Sequence, residues 1–327
     1  MAVRAEDEVR AALAAADDES IDSVERAEML MEIALGIQRK PRSAEDLRAA
    51  IELYHRALAL CEAGPRDESL LRARIRARQA TALQALPDGG IDSLEAARDA
   101  YEEVLPILSG GGRPEEVAEV EMNLGLVLQN LAGERRAPIT SAISAYQRAL
   151  RTFERARFPK EFAILQNNLA TAFLSIPFSD ERAKMREALA VQAFEEGLRV
   201  VNLIDHPIEY AMLQNNLGNA LQYASSGHAV ENNLRALDAY DEALKVRRRD
   251  TMPVEYANTI ANKANCLWNL PDDPEKPDLG NSRHLKEARD HYHEARAIFA
   301  GAGEHGRARV VAEALDAIER EILGASA

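Results

Sequence analysis

One short sequence occurs three times in this chain, and its recurrence constrains the fold more than any other feature. Residues 214–221 read QNNLGNAL, residues 166–173 read QNNLATAF and residues 121–128 read EMNLGLVL. Neighbouring copies begin 48 and 45 residues apart. A period of roughly 20 to 50 residues is typical of solenoids, in which stacked supersecondary units bury a continuous core. The sequence therefore predicts a stack of similar units.

Two landmarks keep this period along most of the chain. An alanine recurs every 45–48 residues, at Ala27, Ala73, Ala118, Ala163, Ala211 and Ala257. An aromatic residue recurs every 45–52 residues, at Tyr54, Tyr101, Tyr146, Phe194, Tyr240 and Tyr292. Small residues at helical spacing around each aromatic leave room for a second helix to approach. The pattern predicts six two-helix repeats, with the alanine early in the first helix and the aromatic in the second.

The predicted fold class is an all-α solenoid, and one domain is expected to cover residues 1–327. Its parts are an N-terminal cap at residues 1–19, six repeats at residues 20–303 and a C-terminal capping helix at residues 304–327. Prolines precede several first helices, where the first-turn amides have no partner within the helix. The proline-rich insertion at residues 271–277 is not expected to be helical.

Charge and composition exclude some partners and favour one compartment. With 54 acidic and 40 basic side chains the formal charge is −14, so neither nucleic acid nor an anionic membrane surface is an expected partner. There is no apolar run long enough for a membrane span and no signal-peptide pattern. Cys61 and Cys266 are expected to be buried free thiols in a reducing compartment. These features predict a cytoplasmic protein, and the abundance of alanine with little lysine indicates a bacterial source.

The repeats resemble the tetratricopeptide repeat family. The resemblance rests on Leu217-Gly218 in a first helix, on Ala236, Tyr240 and Ala243 in the following helix, and on a proline before the next repeat. It covers about residues 20–320. The period of about 46 residues is longer than the usual 34, and Lys263-Ala264 replaces Leu-Gly in the sixth repeat. The resemblance implies a right-handed superhelix whose concave groove is lined by the first helices and binds other molecules.

An asparagine occupies the position before the Leu-Gly pair in four consecutive repeats, as Asn123, Asn168, Asn216 and Asn262. Arrays similar to this one, such as kinesin light chain, carry asparagine at the matching place, where a ladder of amides holds an extended peptide by its backbone. A carboxamide suits that task because it both donates and accepts hydrogen bonds. Asn219 and Asn265 lie three residues further on the same helical face and are added to the predicted peptide-binding groove.

An alternative role for these asparagines is structural, in which they bond the backbone of a neighbouring repeat. Asn167 and Asn215 point about 100° away from the ladder and are weaker candidates for binding. Tyr223, Trp268 and Asn269 are candidates for pockets beside the groove, although a core role for Trp268 is equally open.

Two basic residues extend the predicted groove into the second repeat. Arg78 occupies the ladder position and Arg74 lies one turn earlier on the same face. The pair resembles half of the carboxylate clamp of some members of the family, but Glu32 stands where that clamp needs an asparagine. The remaining hypothesis is an electropositive end of the groove that favours an acidic partner, against the alternative of solvated surface arginines.

Signals for catalysis are weak. The glycine-rich run at residues 109–114 lacks a following Lys-Ser/Thr and is interpreted as a turn rather than a phosphate cradle. His284, His291 and His293 diverge on a helix, which argues against a metal site. Arg247–Arg249 are interpreted as cations at the negative end of a helix dipole. No enzyme activity, cofactor or metal is expected.

The predicted function is a non-catalytic adaptor, scaffold or chaperone-like protein that binds an extended segment of another protein in its groove. The alternative is a regulatory or sensor subunit whose superhelix responds to a small ligand or a peptide. An unrecognised enzyme is a third hypothesis. The sequence leaves self-association open.

Overall fold

The structure, a computed structural model, describes residues 9–324 except residues 12, 15, 64–67, 177–180 and 225–227. Parts of the predicted N-terminal cap and the last three residues of the chain therefore lie outside the described residues. Described residues between 9 and 16 are helical. Val9 and Leu13 pack against the hydrophobic core formed by the first helices.

Thirteen α-helices have defined bounds in the described chain. They are α1 (Ser23–Arg39), α2 (Ala44–Ala63), α3 (Ser69–Gln84), α4 (Gly90–Gly111), α5 (Pro114–Gly133), α6 (Ile139–Ala149), α7 (Pro159–Leu174), α8 (Glu181–Leu198), α9 (Pro207–Gln222), α10 (Ala229–Leu244), α11 (Pro253–Trp268), α12 (Ser282–Gly301) and α13 (His305–Gly324). A 3₁₀ turn, Pro277–Leu279, lies between α11 and α12. The described residues contain no strand, and the predicted all-α solenoid of helical hairpins is confirmed.

The chain divides into two compact units, residues 1–154 and residues 155–327, here called unit 1 and unit 2. Unit 1 contains the hairpins α1–α2, α3–α4 and α5–α6, and unit 2 contains α7–α8, α9–α10 and α11–α12, followed by α13. Each hairpin is one predicted repeat, because its first helix carries the landmark alanine and its second helix carries the landmark aromatic. The prediction of a single domain stays a prediction.

Prolines begin four of the first helices: Pro114, Pro159, Pro207 and Pro253 each lie at the first turn. A proline costs nothing there, since the N–H that it lacks would have no partner within the helix. An acidic residue also lies in each of these first turns, where it complements the positive end of the helix dipole. These local signals fix where each first helix starts.

In the third and fifth repeats, the landmark tyrosine of the second helix packs on a glycine of the first helix. A Cβ atom added to Gly125 would lie 2.4 Å from Cε1 of Tyr146, and one added to Gly218 would lie 2.6 Å from Cε1 of Tyr240. The ring therefore lies directly on the helix backbone. All six aromatics are buried, with at most 4% of their surface exposed.

Four buried tyrosines also find a partner for the hydroxyl group. Each donates a hydrogen bond to a glutamine at the end of its own first helix, in the pairs Tyr54–Gln38 (2.6 Å), Tyr101–Gln84 (3.2 Å), Tyr146–Gln129 (2.9 Å) and Tyr240–Gln222 (2.9 Å). The fourth repeat has Phe194 instead, and Leu174 occupies the position equivalent to the glutamine. In the fourth repeat the hydroxyl and its acceptor are thus absent together, which avoids the cost of an unpaired buried polar group. The sixth repeat keeps a tyrosine, Tyr292, with Trp268 at the position equivalent to the glutamine.

The first helices form the more closely spaced side of each unit. In unit 1, α1 contacts α3 and α3 contacts α5, while in unit 2, α7 contacts α9 and α9 contacts α11. Second helices make no comparable contact with the next second helix among the described residues. We call this side, where the first helices of one unit lie next to each other, the inner side of the unit. Side chains that project from the first helices are brought together there.

The insertion between α11 and α12 is closed by hydrogen bonds. The carboxylate of Asp272 accepts from the backbone N–H groups of Arg283 and His284 at the start of α12, at 2.8 and 2.9 Å. The backbone N–H of Asp272 donates to the carbonyl of Gly280 at 2.9 Å. The predicted absence of an α-helix from this insertion is confirmed.

Two smaller predictions can be compared directly with the structure. Cys61 and Cys266 are free and buried, as predicted. The prediction of a turn at residues 109–114 is only partly right, because α4 continues to Gly111 and the turn is limited to the residues between Gly111 and Pro114.

The ring contact predicts opposite effects for the same substitution at two helix glycines. Gly218→Ala should destabilise the protein by about 1 kcal/mol, because the new methyl group overlaps the Tyr240 ring. Gly36→Ala should stabilise it by about 0.5–1 kcal/mol, because a Cβ there meets nothing within 4 Å and alanine favours helix. Urea unfolding measures both, and equal shifts would contradict the ring contact.

The paired exchange of hydroxyl and acceptor can also be tested. Tyr54→Phe should cost about 1–3 kcal/mol, because it leaves the carboxamide oxygen of Gln38 without its donor. The double substitution Tyr54→Phe with Gln38→Leu reproduces the arrangement of the fourth repeat and should recover most of that loss. Thermal unfolding of the wild type, the Tyr54→Phe variant and the double variant measures these effects. A double variant that is less stable than Tyr54→Phe would contradict the proposed pairing of hydroxyl and acceptor.

Candidate functional site

The predicted ladder residues occupy equivalent places on consecutive first helices. In unit 2, Asn168 lies on α7, Asn216 on α9 and Asn262 on α11. All three side chains are half-buried, so each keeps some contact with solvent. In unit 1, Arg78 on α3 and Asn123 on α5 occupy the same position of the repeat and are also half-buried.

The amides of unit 2 are linked by hydrogen bonds that pass from helix to helix. The amide nitrogen of Asn216 donates to the amide oxygen of Asn167 on α7 at 2.7 Å, which joins two repeats. Asn262 makes a longer contact of 3.4 Å, from its amide nitrogen to the amide oxygen of Asn215 on α9. The structural alternative predicted bonds to the backbone of a neighbouring repeat, whereas the observed bonds join side chains.

Each first asparagine of the Asn-Asn pairs is buried and donates to the second. Asn167 is 7% exposed and Asn215 is 2% exposed. The amide nitrogen of Asn167 donates to the amide oxygen of Asn168 at 3.2 Å, and that of Asn215 donates to the amide oxygen of Asn216 at 3.1 Å. Burial excludes both from contact with a ligand, but both hold a half-buried ladder amide.

Thr259 and Arg247 continue these bonds at the α11 end. The Thr259 hydroxyl is 0% exposed and lies 3.1 Å from the amide oxygen of Asn215. The guanidinium of Arg247 donates to the same hydroxyl at 3.0 Å, and burial lowers the pKa of Arg247. The interpretation of Arg247 as a cation at the negative end of a helix dipole is therefore wrong: α10 ends at Leu244 with no basic residue in its last turn, and the Arg247 side chain donates to Thr259 of α11.

Asn219 and Asn265, the two additional groove candidates, both bond to tyrosines. The amide oxygen of Asn219 accepts from the hydroxyl of Tyr240 at 2.8 Å, which ties Asn219 to the ring contact of its own repeat. The amide nitrogen of Asn265 donates to the hydroxyl of Tyr223 at 2.7 Å. Tyr223 is 69% exposed and is held in place by that bond.

The structure brings the three candidates of unit 1 together around a small pocket. Arg74 and Arg78 on α3 and Asn123 on α5 line a cavity of about 50 Å³, with Tyr101 and Glu116 among the other lining residues. The amide of Asn123 and the guanidinium of Arg78 have no hydrogen-bond partner in the described part of the chain. Both groups remain available to a bound molecule, beside the exposed carboxylate of Glu119, which also lines the pocket.

Arg74 is committed to an internal ion pair. Its guanidinium donates to both carboxylate oxygens of Glu116, at 2.9 and 3.2 Å. Burial by itself would raise the pKa of Glu116, but the bonds from Arg74 and from the backbone N–H of Arg113 outweigh burial and lower it. Because Arg74 is neutralised by Glu116, the predicted positive end of the groove depends on Arg78.

The low pKa of Glu116 predicts how stability depends on pH. The Arg74–Glu116 pair should contribute fully above the ordinary glutamate pKa of 4.5 and be lost as the pH falls through the lowered folded-state value. Glu116→Gln should therefore destabilise the protein at pH 7, and the difference from the wild type should shrink below about pH 4. Urea unfolding at pH 7 and pH 3.5 measures this difference. Glu119→Gln, on the same helix but exposed, is the control and should change little at either pH.

The three histidines of the sequence analysis each lie beside a different partner. His291 lies 3.7 Å from Glu287, His293 lies 3.2 Å from Glu319 on α13, and His284 faces the carbonyl of Leu270. No group of three or more potential metal ligands is found among the described residues.

The indole of Trp268 donates to Glu321 of α13 at 2.7 Å, which links α11 to the last helix. In the described chain, no helix has the length and apolarity that a membrane crossing requires.

Sequence reasoning missed the role of the buried asparagines. Asn167 and Asn215 were predicted to be weaker candidates because they point away from the ladder, yet each is bonded to it. The signal was the doubled asparagine, which occurs at the ladder in the fourth and fifth repeats but not in the third, where Met122 precedes Asn123.

Comparison with known proteins places the fold among solved helical-repeat structures. No protein-family model and no curated protein matches this chain. BtubC (BKLC) from P. vanneervenii is 22% identical, with a TM-score of 0.52, over 75% of this chain and 89% of that protein. A signal transduction ATPase with numerous domains from Pyrococcus horikoshii, which carries a tetratricopeptide repeat sensor, is 12% identical, with a TM-score of 0.51. That match covers 90% of this chain and 43% of the other. The fold of this chain is therefore a tetratricopeptide-repeat-like array of helical hairpins.

Proposed function

We propose that the protein is a non-catalytic binding module that holds an extended segment of another protein against the first helices of unit 2. The observation that carries this proposal is the row formed by Asn168, Asn216 and Asn262. The three amides lie on consecutive helices on the closely spaced side of the unit and keep contact with solvent.

Each ladder amide keeps hydrogen-bonding capacity after its internal bonds are counted. A carboxamide has two N–H donors and an oxygen that accepts two bonds. Asn216 uses one donor toward Asn167 and one acceptor site toward Asn215. One N–H and one acceptor site remain, which is the pair that a peptide C=O and N–H need. Recognition of this kind uses the peptide backbone and is independent of side-chain identity.

The spacing of the helices suits an extended chain. Packed helices lie about 8–10 Å apart, and three extended residues span about 10 Å. One ladder amide can therefore serve about every third residue of a bound segment. Each such bond contributes only about 0.5–1.5 kcal/mol, so selectivity for a partner must come from side-chain contacts beside the ladder. Tyr223, exposed and held by Asn265, is a candidate for such a contact.

Unit 1 offers a different surface, which we treat as a second contact point. Arg78 and Asn123 face the same small pocket and have no partner in the described chain. An acidic side chain on the partner would suit the guanidinium of Arg78, which makes no ion pair in the described chain. Arg74 contributes little positive charge to that contact because Glu116 neutralises it.

The proposal is tested with peptides selected from a random library of 16-residue sequences displayed on phage and bound to the full chain. Synthetic copies of the selected peptides are then titrated by fluorescence polarisation. Replacing Asn168, Asn216 and Asn262 together with alanine should weaken binding about tenfold or more, since three backbone contacts are lost.

Gln192→Ala is the matched control, because Gln192 is an exposed amide on the second helix α8 and lies outside the row. It should leave the affinity unchanged. A library that yields no binder, or binders unaffected by the triple substitution, would show that the row is not a peptide-binding surface. The alternative function is that of a small-ligand sensor. Peptide binding that depends on Asn168, Asn216 and Asn262 is the result that would argue against this alternative.

A further inference from the structure

The asparagine side chains of unit 2 form one chain of hydrogen bonds in which every amide donor points the same way. At the α11 end, the Thr259 hydroxyl lies 3.1 Å from the oxygen of Asn215 and 3.0 Å from the backbone carbonyl of Glu255, and Asn215 donates to Asn216. Asn216 then donates to Asn167, and Asn167 donates to Asn168. We call this series the amide chain. It runs through three repeats and crosses from helix to helix twice.

The amide chain fixes which atom of each ladder amide faces which way. A free asparagine side chain can rotate by 180° and exchange its oxygen and nitrogen. At Asn216 that rotation would place two oxygens together at Asn167 and two nitrogens together at Asn215, so two hydrogen bonds would be lost. The cost would be high because Asn167 and Asn215 are almost fully buried.

The amide chain also has a defined end. The oxygen of Asn168 accepts from Asn167, while its amide nitrogen has no partner in the described chain. Hydrogen bonds in series polarise one another, which strengthens the terminal donor. Arg247 adds a positive charge at the other end, where it donates to Thr259. Asn168 therefore presents a donor, and the chemistry that it fits is a backbone carbonyl.

We infer that Asn167 and Asn215 are positioning residues, which orient Asn168, Asn216 and Asn262 for an extended peptide and present Asn168 to a backbone carbonyl. This inference rests on the proposed function. Fixing the ladder amides before binding removes the entropic cost of ordering them when the peptide arrives. Unit 1 lacks this arrangement, because Met122 and Ala77 precede its ladder residues.

The test uses the selected peptides and a cycle of substitutions. Asn167→Ala should weaken peptide binding about 2- to 13-fold, the factor that corresponds to ordering one side chain. In a background that already carries Asn168→Ala and Asn216→Ala, the same substitution should change the affinity less than about twofold. A residue with only a structural role would have the same effect in both backgrounds.

Two further variants keep the outcome decisive. Asn167→Asp retains the shape of the side chain and the acceptor for Asn216, but it cannot donate to Asn168. Its effect on peptide affinity should therefore disappear in the Asn168→Ala background. Asn233→Ala is the control, because Asn233 is another buried asparagine of unit 2, 7% exposed, on the second helix α10. It should change the melting temperature without changing peptide affinity in the folded range.

The outcomes separate this inference from the proposed function. If peptides bind and depend on Asn216 but are indifferent to Asn167, or if the effect of Asn167→Ala is the same in both backgrounds, the positioning role is wrong and the binding row stands. If no peptide binds, both are wrong. Peptide binding with the expected loss of coupling supports both.

Discussion

In the third and fifth repeats, the tyrosine ring of the second helix lies directly against a glycine of the first helix, and the arrangement of these hairpins follows from this contact. The contact needs glycine on the first helix, because the Cβ of any other residue would overlap the ring. It fixes the distance and the rotation of the two helices in these hairpins. It thereby also determines which residues of the first helix face the inner side of the unit. Asn219 shows the link most directly, since it accepts a hydrogen bond from the hydroxyl of Tyr240.

Much of the fold could be predicted because it is specified locally and repeatedly. The landmark alanines and aromatics recur with one period, and prolines mark the start of first helices in the later repeats. The tyrosine–glutamine pairs were also visible, since the glutamine precedes the tyrosine by 16 to 18 residues in four repeats. They could have been recognised through the fourth repeat, where Phe194 and Leu174 replace both partners.

The candidate site was predictable in part, for a physical reason. Helical periodicity shows which face of a helix a residue occupies, and it placed Asn168, Asn216 and Asn262 in equivalent positions. Periodicity cannot show which side chain on a neighbouring helix will be the partner. Arg74 bonds to Glu116, 42 residues away, and Asn216 bonds to Asn167, 49 residues away. These partners depend on how two repeats pack, which no local pattern encodes. For the same reason, Arg247, which precedes two other arginines in the sequence, was not recognised as the hydrogen-bond partner of the buried Thr259.

The insertion between α11 and α12 has a consequence for how such a chain can change. It lies at the turn within a hairpin, and Asp272 closes it on the first turn of α12. The helices on either side still meet through Tyr292, which is buried like its counterparts. Extra residues at such a turn lengthen the repeat along the sequence without moving the first helices apart. A gene that gains or loses codons at these turns would keep the same inner surface, so the long and uneven period of this array is compatible with a regular row of amides.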